Sequence, residues 1–209
     1  MHNTNQKPPQ RNPLETIGQG MFSPSPFIAI TDPILFNTCL AMTASNDEVR
    51  HYLQYLLISP EKNTVTGSCG SALASGQALN FSAWNSKSDL LILPAQKLPK
   101  ETRGARINVK EKTITGRAKK GRFNIPFLIL DAKYPSFNSI EPTNENTVID
   151  NKRTCFNVKL LMKMQKASQC EIVTISAHRS VISNLFYSVD LHSKRITSPY
   201  RAIIMPCNA

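Results

Sequence analysis

The sequence predicts an α+β fold of repeated β-α-β-β-β units, with curved antiparallel sheets carrying their helices on one face. Two observations support this. Short apolar segments, cut by prolines and turn residues, run through most of the chain, and only three stretches read as helix. The order of elements then recurs three times: a strand, a helix, and three strands. Two such units pair into one domain, so three make one and a half.

Order is expected to begin at Phe27. Residues 1–26 are dominated by Asn, Gln, Pro and Gly without a period and read as a disordered tail. Phe27-Ile-Ala-Ile30 reads as a short strand. Asp32 stands as a helix N-cap with Pro33 at the first helical position, where the missing N–H is no loss. Ile34, Leu35, Cys39, Leu40 and Met42 supply that helix's apolar stripe. Val49 to Ile58, rich in apolar and aromatic residues and stopped by Pro60, reads as a long strand. A turn at 60–63 leads to strands over 64–67 and 71–79. The second unit opens on the strand Asp89-Leu-Leu-Ile-Leu93, followed by a short helix from Pro94 through Leu98 and strands at 105–109, 113–117 and 123–130. The third begins at Thr147-Val-Ile149, has a helix from Phe156 to Ala167, and ends in strands at 171–176, 181–189 and 200–205. Pro206, which has no N–H for a ladder, stops the last strand.

At 209 residues the chain is long enough for one large domain or two small ones. No apolar run reaches the roughly 18 residues a membrane span needs, and the polar N-terminus lacks the apolar centre of a signal peptide. A soluble, cytoplasmic protein is expected. The five cysteines are scattered, form no C-x-x-C pair and read as reduced thiols.

The net charge of +11 is unevenly placed. From Lys97 to Arg122, ten cations stand against only Glu101 and Glu111, a balance of +8. Such a concentration suits a polyanionic partner, because each phosphate contact releases condensed counterions. It also suits a solvated surface that keeps the protein in solution. Lys159, Lys163 and Lys166 share one face of the third helix, opposite Leu160, Leu161, Met164 and Ala167. The same choice, polyanion or solvent, applies there.

No catalytic constellation is visible. His2, His51, His178 and His192 are isolated, with His51 expected to point outward from a strand and His178 to sit in a turn. The sparse carboxylates have no metal-ligand spacing. Gly116-Arg-Ala-Lys-Lys-Gly-Arg122 lacks the G-x-x-x-x-G-K-[ST] pattern of a phosphate loop and reads as a basic hairpin. A non-enzymatic protein without metal or cofactor is expected.

Five segments resemble the bacterial sliding clamp, the beta subunit of DNA polymerase III, in the family's own order. Asp47-Glu-Val-Arg-His-Tyr-Leu53 is similar to the D-x-V-R-Y-Y-L strand of its middle domain, and Gly67-Ser-Cys-Gly-Ser-Ala-Leu-Ala74 to A-T-D-G-H-R-L-A, with Asp, His and Arg lost. Ile92-Leu-Pro-Ala-Gln-Lys97 is similar to the I-P-x-K segment. Leu130-Asp-Ala-Lys-Tyr-Pro-Ser-Phe-Asn-Ser-Ile-Glu-Pro142 resembles I-D-G-x-F-P-D-Y-x-x-V-x-P, and Phe156-Asn-Val-Lys-Leu-Leu161 the F-N-x-x-Y-L start of a last-domain helix. The C-terminal Met-Pro-Cys-Asn-Ala stands where the family has Met-Pro-Met-Arg-Leu.

The resemblance implies a DNA-clamp-like fold with a domain over 27–142 and a half-domain over 143–209, and no counterpart of the family's first domain. It implies a partner-peptide groove lined by Leu53, Ser68, Gly70, Ser71, Leu73 and Pro142 on one side and Ile203, Met205 and Pro206 on the other. Taken singly, Leu53, Leu73 and Ile203 also read as plain core residues. It implies duplex-DNA contacts from Lys97, Lys100 and Arg103 on the second helix and Lys159, Lys163 and Lys166 on the third. DNA polymerase or other clamp-binding proteins would be partners. Self-association is expected, because an unpaired half-domain would expose a sheet edge.

Overall fold

The computed structural model describes residues 26–45, 48–137, 154–179 and 185–206. Asp47, Pro142, the 147–149 strand, most of the tail and the last three residues lie outside the described residues. The described residues form twelve strands in one antiparallel sheet, two α-helices and a short 3-10 helix.

The first strand, β1 (Ile28–Ile30), leads into α1 (Pro33–Ala41), and the sequence dictates how that helix starts. The Asp32 carboxylate accepts from the Ile34 and Leu35 N–H groups at 3.1 and 2.9 Å, while Pro33 occupies the first turn. Leu35, Phe36 and Cys39 are fully buried beneath it. The expected long strand over 49–58 is instead a 3-10 helix, His51–Gln54, followed by β2 (Leu56–Ser59). Burial overrides strand propensity here. Leu53, only 2% exposed, packs with Leu91 and Tyr134, and its carbonyl accepts from Ala44 N–H at 2.9 Å. His51 is therefore an exposed helical residue, not a strand residue.

Next come β3 (Thr64–Ser68), β4 (Ala72–Gly76) and β5 (Leu79–Asn80). The expected single strand over 71–79 breaks because Gln77 leaves the ladder to donate to Pro199 O, and β5 then pairs with β1. β6 (Leu90–Pro94) follows. The helix expected from Pro94 through Leu98 does not form. Leu98 precedes Pro99, which disfavours the helical region, and the Asn37 side chain takes both Leu98 backbone groups at 2.9 and 3.0 Å. β7 (Thr102–Asn108), β8 (Thr113–Ala118) and β9 (Gly121–Leu130) complete the first two units, and Gly116 to Arg122 is a basic hairpin between β8 and β9. The ten-residue β9 pairs with β8 through Pro126 and with β6 from Phe127 onward. Pro126, unable to donate, sits at that handover.

The third unit contributes α2 (Val158–Ser168), β10 (Ile172–Arg179), β11 (Leu185–His192) and β12 (Tyr200–Ile204). Asn157 caps α2 through Lys159 N–H, and Gln169 closes it in the left-handed conformation. His178, expected in a turn, lies in β10. It is buried, stacked on Phe186 at 5.4 Å, with its Nε2 2.8 Å from Ser188 Oγ.

The sheet order is β10-β11-β12-β4-β3-β2-β6-β9-β8-β7-β1-β5, so β12 joins the third unit to the first through β4. The helices pack against each other, α1 on β3, β4 and β7 and α2 on β11. One apolar core runs beneath them from Ile28 and Phe36 to Ile114, Met164 and Val189. No helix among the described residues is long and apolar enough to cross a membrane.

Burial also sets thiol chemistry. Desolvation, with the nearby Asp32 charge, pushes the Cys39 thiol far above its ordinary pKa, whereas Cys155 is exposed. Iodoacetamide at pH 9 is expected to label Cys155 while Cys39 stays unmodified in the folded protein; peptide mass mapping with Cys39 alkylated as fast as Cys155 would contradict the packing of α1 on β3.

Candidate functional site

The cations gather where α1, the 95–102 segment and the C-terminal half of α2 meet. A cleft of about 680 Å³ opens there, and Lys97, Lys100, Lys163 and Lys166 all line it, joined by Arg195. The two pairs come from segments more than sixty residues apart. Asn37 fixes the first by holding Leu98 against α1; the second is presented by one face of α2, whose Met164 is fully buried on the other. All four lysines are exposed, and among the described residues none makes an ion pair. Arg195 Nη1 donates to Gln169 Oε1. The carboxylates lining the cleft are Asp32, committed to backbone N–H groups, and Glu101, which lies 3.5 Å from Lys119. Much of the lining is apolar, including Ile34, Leu40, Ala41, Leu98 and Ala167. Such a cleft attracts polyanion without reading base sequence, since ammonium groups address phosphates.

Two expected DNA-contact residues fall outside it. Lys159 is exposed on the first turn of α2, away from the cleft lining. Arg103 is not on a helix at all; it belongs to β7 and lines a different concavity. Arg195 was missed because the Lys194-Arg195 pair between β11 and β12 has no helical or strand period to say which way it faces.

The groove residues divide in two. Ile203 on β12 stands opposite Leu73 on β4, and Met205 N–H donates to Ser71 O at 2.9 Å. Leu73 and Ile203 pack on Phe186, with Met205 and Phe137 partly covering them. Leu73, Ile203 and Leu53 are at most 2% exposed, Ser68 is also buried, and Gly70, Ser71 and Pro206 are exposed. Leu53 sits in a neighbouring cluster with Leu91 and Tyr134, and Phe137 touches both clusters. Tyr134 joins Tyr52 and Phe137 edge to face, with ring centroids 6.2 and 5.8 Å away. Phe137, Tyr134 and Phe186 are the members that sequence reasoning missed, although the first two stand in the Tyr-Pro-Ser-Phe motif that carried the family resemblance. At Gly70 (φ +86°) a Cβ would lie 2.7 Å from the Arg50 guanidinium, itself paired with Glu48 at 2.7 Å. Among the described residues no group of three or more His, Cys, Asp or Glu side chains is gathered to hold a metal ion.

No protein-family model and no curated protein matches the sequence. Solved structures do match. The DNA polymerase III beta chain of Streptococcus pneumoniae is similar over 100% of this chain and 68% of its own, with a TM-score of 0.54 and 14% identity. The fold is that of the bacterial sliding clamp. The DNA polymerase sliding clamp of Bacillus subtilis matches over 88% of this chain and 64% of its own (TM-score 0.54, 12% identity), and that of Pseudomonas aeruginosa over 88% and 66% (0.55, 14%). The chain thus spans about two thirds of the length of the sliding clamps it resembles. The β4–β12 pairing carries the sheet across the junction between the first and third units, beside the Leu73–Ile203 cluster.

Proposed function

We propose that the protein is a sliding-clamp-like processivity factor of DNA replication or repair. It holds duplex DNA nonspecifically at the lysine cleft and docks a DNA polymerase or other partner peptide where β4 and β12 meet. The convergence of Lys97, Lys100, Lys163 and Lys166, unpaired among the described residues, beside the helices of a sliding-clamp fold carries this reading. The protein performs no chemistry of its own; phosphate contacts exchange along the duplex while the partner is retained. At the groove, Met205 offers an adaptable thioether wall beside the exposed Gly70, Ser71 and Pro206. The proposal includes a cytoplasmic homo-oligomer, and the oligomer is supported by β10, the outermost strand among the described residues. β10 is eight residues long and displays Ile172, 64% exposed, and Ile175, an edge that a second copy would cover.

The test is retention on closed circular duplex, with release on linearisation, followed by light scattering. Replacing all four lysines with alanine is expected to abolish retention and to flatten the salt dependence of duplex binding by about 3 to 4 log units per log unit of salt. An unchanged slope would remove the cleft from the reading. A second reading rests on the 95–101 segment, which carries no helix where the repeated unit calls for one. A clamp-like module with a shortened helix face would bind clamp-binding peptides, or a host clamp, without encircling DNA. Equal binding to circular and linear duplex, or to neither, would favour it.

A further inference from the structure

We propose that the face of β1, β7, β8 and β9 turned away from the core is a second nucleic-acid site, one that takes single-stranded polynucleotide. It is independent of the lysine cleft. Strand register defines the face. Ile28, Ile107, Ile114 and Ile125 stand in one cross-strand row and are all fully buried, so the adjacent rows point outward. One outward row places Arg106 beside Thr115 and Asn124; another places Arg117 opposite Arg122. Successive rows on one face lie about 7 Å apart along the strands, a spacing that suits successive phosphates of an extended strand. These side chains and Arg103 line a concavity of about 1220 Å³.

The chemistry favours unpaired bases over a duplex or an acidic protein. Arg106 lies over the Phe27 ring, with Cζ 5.7 Å from the centroid, and its Nε donates to Thr115 Oγ1 at 3.4 Å. A guanidinium plane beside an aromatic ring is a stacking element for a splayed base, which a duplex does not offer. Among the described residues Arg103, Arg117 and Arg122 make no ion pair, and Glu111 is the one carboxylate lining the concavity. A protein partner would need a buried apolar anchor. Phe123 instead packs against the core, and the remaining apolar lining besides Phe27 is Ala29, Ala105 and glycine.

The experiment measures fluorescence anisotropy of the full chain with a 20-nucleotide oligo-dT, an oligo-U of equal length and a 20-base-pair duplex. The triple variant Arg106→Gln, Arg117→Gln and Arg122→Gln is expected to weaken both single strands about tenfold or more and to lower their salt slope by about 2, leaving duplex affinity unchanged. Phe27→Leu is expected to weaken single strands about fivefold without altering the slope, a signature of lost stacking that charge alone would not give. Equal losses for oligo-dT and oligo-U mark a site for either sugar; unequal losses identify which one it serves. Four results would overturn the proposal: no single-strand binding by the unaltered protein, full binding by the triple variant at an unchanged melting temperature, an equal loss for duplex, or equal displacement by poly-glutamate. Loss of duplex binding through the cleft lysines alone would leave this face intact, so failure here and failure of the clamp reading are distinguishable.

Discussion

Replacing Gly67 with alanine is expected to destabilise the protein by about 3 kcal/mol or more, enough to leave much of a marginally stable domain unfolded. Gly67 lies in the interior of β3 beneath the C-terminal turn of α1. A Cβ there would fall 1.8 Å from the Cys39 carbonyl oxygen and 2.7 Å from its carbon. The obstacle is backbone, so no rotamer change relieves it; α1 itself would have to lift off the sheet. That movement would open the packing of Leu35, Phe36, Cys39 and Met42, all fully buried, and loosen the contact with α2 that shapes the cleft. Gly104→Ala is the internal comparison. A Cβ at Gly104 would meet no atom within 4 Å, and the backbone there is not left-handed, so a change within about 0.5 kcal/mol is expected. Urea unfolding of both variants checks this, and a Gly67→Ala midpoint close to that of Gly104→Ala would mean that α1 does not sit on β3 as described.

Local signals were legible in the sequence, and long-range ones were not. Asp32-Pro33 announces a helix start wherever it occurs, and α1 begins there. The lysine spacing on α2 likewise survives folding, because Met164 turns inward and Lys163 and Lys166 turn out. The segment from Pro94 through Leu98 was misread as helix because the group that holds it, Asn37, is 61 residues away from Leu98. Residues 51–54 were misread for the same reason, since Leu53 is drawn toward Leu91 and Tyr134. These errors matter for the site. With no helix at 94–98, Lys97 and Lys100 still reach the cleft, but Arg103 passes into β7 and onto another face. On the groove side, the family resemblance supplied Leu73 and Ile203, whereas Phe186, fully buried beneath them, belongs to no motif.

Asp32→Ala is expected to cost about 2 to 4 kcal/mol, because one buried carboxylate serves two separate parts of the chain. Its Oδ1 caps α1, and its Oδ2 accepts from the Thr197 and Ser198 N–H groups at 3.1 and 3.4 Å. The side chain is 3% exposed, so little water reaches it to replace those partners. Asp32→Asn retains one acceptor oxygen but presents an NH₂ to the other pair of donors, so about half the loss is expected. The functional consequence separates two mechanisms. Asp32 and Thr197 both line the lysine cleft, and removing a negative charge from its wall should, by Coulomb's law alone, tighten its hold on phosphate. Freeing the 195–198 segment acts the other way, since Arg195, which bonds Gln169 at the end of α2, loses its tie to α1 and the cations converge less closely. Removing one wall charge changes a single Coulomb contribution, whereas scattering the cations removes several phosphate contacts at once. Weaker duplex binding by Asp32→Asn, at a temperature where the variant is fully folded, is therefore the expected result. Tighter binding would show that the cleft is held together without this tie.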